Sequence, residues 1–182
     1  MDDIGSFSMD NVSPKLKTGR VCLLDADYVK YIVTSKIYKD REKQQITGEV
    51  ELYLKEDPAI KYTKEWVNDW LMKIEDPIVF CFSGKSYNTF RNNIAFDKQY
   101  KGNRNKTDYT DYDGKLEDMT NSMKYIQENF VTLIYNDLEA DDIVSALQMK
   151  DDTYIVSKDK DLKQVPGYHY DFARNNIYEI SN

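Results

Sequence analysis

Four short apolar runs recur along this chain with helical patterns between them: "RVCLLDAD" (20–27), "PIVFCFS" (77–83), "VTLIYN" (131–136) and "TYIVS" (153–157). Each is shorter than a stable helix and mostly apolar, so each reads as a strand, the first two as buried ones. After the first run, "YVKYIVTSKIY" reads as a helix with Tyr28, Tyr31, Ile32 and Ser35 on one face. In "TKEWVNDWLMKI", Trp66, Trp70 and Ile74 recur at helical spacing until Asp76-Pro77 stops the pattern. "KLEDMTNSMKYIQENF" turns Leu116, Met119, Met123 and Ile126 toward a core. Strands that alternate with helices need crossover connections, so the expected fold is α/β, a mainly parallel central sheet flanked by helices. "YHYDFA" and "NIYEI", joined by "RNN", add two short closing strands, and "QITGEVELYL" reads as an exposed hairpin around Thr47-Gly48.

At 182 residues the chain suits one domain, residues 19–182, preceded by a polar, flexible arm over residues 1–18. No apolar run reaches the length of a membrane span, and the N-terminus lacks the cationic-then-apolar order of a secretory signal. Cys22 and Cys81 sit inside apolar runs and read as buried thiols of a reducing compartment. With a single histidine, His169, neither a structural zinc site nor a histidine-based nucleophile is supported; His169 lies in a strand pattern and reads as a packing residue.

Acids gather after the strands. Asp25 and Asp27 follow the first, and Asp137, Glu139, Asp141 and Asp142 follow the third. Asp159 and Asp161 follow the fourth. In a parallel sheet these positions share the carboxyl edge, where α/β proteins bind ligands. Asn136 and Glu139 have capping-box spacing, which accounts for one or two acids at a helix start. Four crowded carboxylates repel unless cations sit among them. Oxygen-only ligands suit Mg²⁺ or Mn²⁺, and two such ions roughly 4 Å apart can activate water and stabilise a leaving oxygen in phosphodiester hydrolysis. Glu139 and Asp142 share a helix face toward the site. Asp141 points about 100° away and reaches it only because it lies in the first turn. Asp137 reads as structural, and Asp151-Asp152 as turn residues at the opposite edge.

The net charge is −7, which overall disfavours nonspecific nucleic-acid binding. Yet residues 84–106 carry Lys85, Arg91, Lys98, Lys101, Arg104 and Lys106 against Asp97 alone, interleaved with Tyr87, Phe90, Phe96 and Tyr100. Cations meet phosphates and aromatic rings stack on unpaired bases. Phe90 and Phe96 read as core residues; Tyr100, Lys101 and Arg104, beside a Gly-Asn turn, read as functional.

"LLDAD", "FR" followed by "YKGNR", "LEADD" and "VSKDKDLKQVPG" resemble, in order and spacing, the PIN-like (resolvase-like) nuclease core of phage and bacterial 5′→3′ exonucleases and flap endonucleases, over roughly residues 20–182. The resemblance implies Asp25, Glu139, Asp141 and Asp142 around one metal ion, with Asp159 and Asp161 near a second. It implies that residues 84–112 form a helical arch, from which Lys101 and Arg104 contact the scissile phosphate as catalytic groups. Tyr100 would stack on the terminal base, and Arg91 and Lys106 would add nucleic-acid contacts. A cytoplasmic location is implied too, the host's cytoplasm for a bacteriophage protein.

Two departures stand out. Where many relatives carry an Asp after the second strand, this chain has Ser83, which can bind metal-bound water but brings no charge. The sequence given also stops before the family's Gly-Asp-x-x-Asp-Asn element and helix-hairpin-helix, so no such C-terminal domain is expected within it; it reads as a fragment, a half that works with a partner subunit, or a natural minimal version, with duplex grip from elsewhere. The expected function is hydrolysis of DNA at 5′ ends, flaps or single strands with two divalent ions. The alternative is a non-catalytic or partner-dependent nucleic-acid-binding subunit that keeps the fold. "LLDAD" also resembles the nucleophile motif of haloacid-dehalogenase-like phosphatases, a reading that leaves "YKGNR" unaccounted for.

Overall fold

The computed structural model describes residues 15–47, 56–84, 112–149 and 151–181. Six strands form one sheet: β1 (Val21–Asp25), β2 (Ile78–Ser83), β3 (Thr132–Tyr135), β4 (Thr153–Val156), β5 (Gly167–Asp171) and β6 (Asn176–Ile180). Their spatial order is β3-β2-β1-β4-β5-β6. The first five run parallel and β6 returns antiparallel along β5. The chain steps outward from β1 to β3, then crosses back to place β4 on the other side of β1. The order therefore reverses between β1 and β4, the topological switch point at which α/β sheets open a ligand crevice.

Burial follows the two-residue period of the strands. Cys22 and Leu24 of β1, Phe80 and Phe82 of β2, and Tyr154 and Val156 of β4 face one core. Leu23, Cys81 and Ile155 face the other. Helices α1 (Asp27–Thr47), α2 (Pro58–Lys73) and α3 (Lys115–Asn129) cover the first face, and α4 (Ala140–Leu147) covers the second through Ile143 and Val144. Helix α2 starts where Asp57 accepts from the Ala59 and Ile60 amides and Pro58 presets the first turn. Its Thr63 hydroxyl donates to Ser122 of α3 at 2.7 Å inside the helical layer. Trp66 and Trp70 pack there edge-on, and Ile74 is buried just past the helix end.

Several expectations shift. Helix α1 buries Val29, Val33 and Ile37; of the tyrosine face, Tyr28 and Ile32 pack half-buried against the same core while Tyr31 is 59% exposed. The helix also runs through Thr47, so the first three residues of the expected hairpin are helical; residues 48–55 lie outside the described residues. Leu116 is 78% exposed, because the buried stripe of α3 runs through Lys115, Ser122 and Ile126. Of the expected flexible arm, residues 1–14 lie outside the described residues, but its last residues are anchored. Leu16 bridges to Ile74, and Thr18 donates through its amide and hydroxyl to the buried Asp76. Cys22 and Cys81 are free and buried, as their apolar surroundings implied. Among the described residues, no helix is long and apolar enough to cross a membrane.

Candidate metal centre at the carboxyl edge of the sheet

Asp25 is the last residue of β1, at the switch point. Its carboxylate accepts from the Ser157 hydroxyl beyond β4 at 2.8 Å and from the Asp27 amide at 3.3 Å. Partial burial, with Asp27 and Asp141 as negative neighbours, nevertheless outweighs these donors and pushes its pKa up to about 6. Asp27 is better compensated. Lys30 lies 3.2 Å away, and the Ser83 amide and hydroxyl both donate to the Asp27 carboxylate.

Ser83 therefore has a clear structural task at the end of β2. Its oxygen donates to Asp27 and accepts from the Ala140 amide at 2.9 Å, joining β1, β2 and the start of α4. The next residue must be glycine. A Cβ at Gly84 would lie 2.2 Å from the Tyr135 carbonyl oxygen and 2.6 Å from that of Asn136. This close approach lets the Gly84 amide donate to Leu138 and brings the acidic loop after β3 against the end of β2.

The acidic helix starts three residues later than the Asn136 spacing suggested. Glu139, buried and extended, is the N-cap, and Asp142 reaches back to the Glu139 amide at 3.1 Å. With Asp142 in that capping role, Asp141 is the helix acid that acts on Asp25. Asp137 is exposed in the loop before the helix. Beyond β4, the Asp159 amide donates to the same Ser157 hydroxyl that holds Asp25, and its carboxylate accepts from the Asp161 amide, opening a one-turn 3-10 helix (Asp161–Gln164). Asp159 and Asp161 are exposed, and Asp151-Asp152 form a turn at the far edge.

All six predicted metal-binding acids thus lie on segments leaving one sheet edge. Sequence reasoning missed Ser157, whose only signal was its place at a strand end. It assigned Asp27 to the edge without seeing that Ser83 binds it. Arg91, Tyr100, Lys101, Arg104 and Lys106 lie outside the described residues. Among the described residues, no three of these acids enclose a common point as the side chains stand. The donor chemistry still fits a hard divalent ion: oxygen ligands only, and a carboxylate at Asp25 with excess negative surroundings.

Residues 55–180 match the family model of the 5′-3′ exonuclease N-terminal resolvase-like domain, well over half of the chain, and the chain belongs to that family. Its fold is the PIN-like one. The phage T5 protein co-crystallised with metal ions is 14% identical, with 87% of this chain matched to 57% of that one at a TM-score of 0.50. The zinc-bound T5 5′-exonuclease is 12% identical over the same shares, at 0.52. At such identity the likeness shows the fold, and the chain spans little more than half the length of these relatives. No curated protein matches it.

Proposed function

We propose that this protein is a divalent-metal-dependent nuclease that hydrolyses DNA phosphodiesters at 5′ ends or flaps. The observation that carries the reading is the place of Asp25 at the switch point, with Asp27 and Asp141 as negative neighbours and Asp159 tied to it through Ser157. Such crowding of like charge is costly in an apo site and useful where cations bind. Family membership supports nuclease chemistry in particular.

In this reading Asp25, Glu139, Asp141 and Asp142 hold one Mg²⁺ or Mn²⁺, and Asp159 and Asp161 hold a second. When bound, the ions lower the pKa of water and offset charge on the phosphate and the leaving oxygen. Ser157 keeps Asp25 oriented, while the Ser83 bridge and the Gly84 approach hold the start of α4 in register with β1. Lys101 and Arg104 contact the scissile phosphate and stabilise its developing charge. Arg91 and Lys106 follow the backbone, and Tyr100 stacks on an unpaired base. Single-stranded or 5′-flap DNA is the substrate, and duplex grip comes from a partner subunit or another segment.

The test is cleavage of a 5′-flap DNA in Mn²⁺ by the wild-type chain and by Asp142→Asn and Asp159→Asn. Wild-type cleavage, lost in both variants with the fold intact by circular dichroism, is expected. Full activity in either variant contradicts the assignment; an inactive wild type that still binds the flap is the outcome of a non-catalytic binding subunit.

A further inference from the structure

Next to the acidic edge, the 3-10 turn (Asp161–Gln164) and the β5–β6 turn border a cavity of about 510 Å³. That lies within the roughly 300–1,000 Å³ typical of small-molecule sites. Ile155, His169 and Tyr178 are register partners on three adjacent strands, so they present one face of the sheet to it. The rings of His169 and Tyr178 lie 5.9 Å apart and only 34° from parallel. His169 Nε2 is 2.7 Å from the Val165 carbonyl oxygen, which can only accept, so that nitrogen carries a hydrogen, and burial lowers the pKa of the ring and favours its neutral form. Phe172, 42% exposed, borders the cavity from the opposite face of the sheet, where it packs edge-on against Trp70 and Tyr170.

The rim is charged. Lys163 and Arg174 line it. Arg174 meets Asp171 at 3.8 Å with 83% of its side chain in solvent, a pairing that competes weakly with a phosphate. Asp171 is itself occupied by the Ala173 and Arg174 amides of the turn. Ser157 and Asp159, which join this wall to Asp25, line the cavity as well. A half-exposed tyrosine ring backed by a buried imidazole, a cationic rim and a wall shared with the acidic edge match a heterocyclic base carrying a phosphate.

We propose that this cavity holds one unpaired nucleotide of the substrate strand beside the bond being cut, its base against the exposed Tyr178 ring and its phosphate toward Arg174 and Lys163. The inference rests on the nuclease reading and adds to it a base-sized pocket on the β5–β6 side of the acids.

The single histidine makes the test direct. Thymidine 5′-monophosphate is titrated into the full chain in EDTA, with the His169 imidazole protons followed by NMR and affinity measured by calorimetry. Saturable binding that moves the His169 signals is expected, weakened about tenfold by Arg174→Gln through loss of a charge-assisted bond and similarly by Tyr178→Ala through lost stacking. Unmoved His169 signals at the highest nucleotide concentration, binding untouched by both variants, or an equal response to inorganic phosphate alone would each overturn it. Because no metal or cleavage enters this measurement, it fails separately from the nuclease reading. A chain that cuts the flap yet leaves His169 unmoved refutes only the pocket, and one that binds nucleotide but never cuts refutes only the reaction.

Discussion

The Asp25→Asn substitution keeps the side chain's shape and an acceptor oxygen for Ser157 but removes its charge. In the native protein the Asp25 carboxyl titrates at about 6 against an ordinary value of 3.8, first because burial penalises the charge and then because Asp27 and Asp141 repel it. Between those two values the native state binds the proton and the unfolded chain does not, so wild-type stability falls as pH rises through the window. Above it, the ionised Asp25 costs the native state about 3 kcal/mol relative to the unfolded chain. The Asn variant escapes that cost, and for a chain of this size the gain corresponds to roughly 6–12 °C in Tm. Thermal unfolding in EDTA should therefore show the variant more stable near pH 7.5, with the gain shrinking to about half at pH 5 and vanishing near pH 3. The same variant should not cleave DNA. A variant less stable than wild type near neutral pH, or a gain independent of pH, would refute the claim that Asp25 is held under electrostatic strain.

Ser83→Ala removes both the donor to Asp27 and the acceptor for the Ala140 amide. It should cost about 1–3 kcal/mol in urea denaturation, and an unchanged midpoint would show that the three-way bridge contributes nothing. Gly84→Ala places a Cβ against backbone carbonyls at 2.2 and 2.6 Å that cannot rotate away. A loss of at least about 2 kcal/mol is expected from the same assay, together with weaker cleavage as the start of α4 is pushed from β2; full stability would mean the loop accommodates the methyl group.

The sheet was legible because β1, β2 and β4 are largely buried on both faces and so read as continuous apolar runs; β3, at the sheet edge, reads the same way although Ile134 and Tyr135 are exposed. Helix faces were less so. In α1 both a tyrosine stripe and a β-branched stripe fit helical spacing; Val29, Val33 and Ile37 won because compact side chains fit between the helix and the sheet, leaving Tyr31 outside. Leu116 misled for a similar reason, lying one residue round the helix from the buried Lys115 position. Among the acids, spacing placed the carboxylates on one edge but could not assign capping. Asp142 takes the cap because Glu139, not Asn136, is the N-cap, and the neighbour of Asp25 is then Asp141. Ser157 was invisible because a hydroxyl that links two strand ends has no sequence pattern of its own.

A crystal of the wild-type chain soaked in MnCl₂ and measured at the manganese absorption edge addresses the shared cation site most directly. Two anomalous peaks are predicted, one coordinated by Asp25 with the acids of the α4 start and one beside Asp159 and Asp161. Manganese found only elsewhere on the surface, with the Asp25 edge unlabelled at saturating metal, would contradict the account.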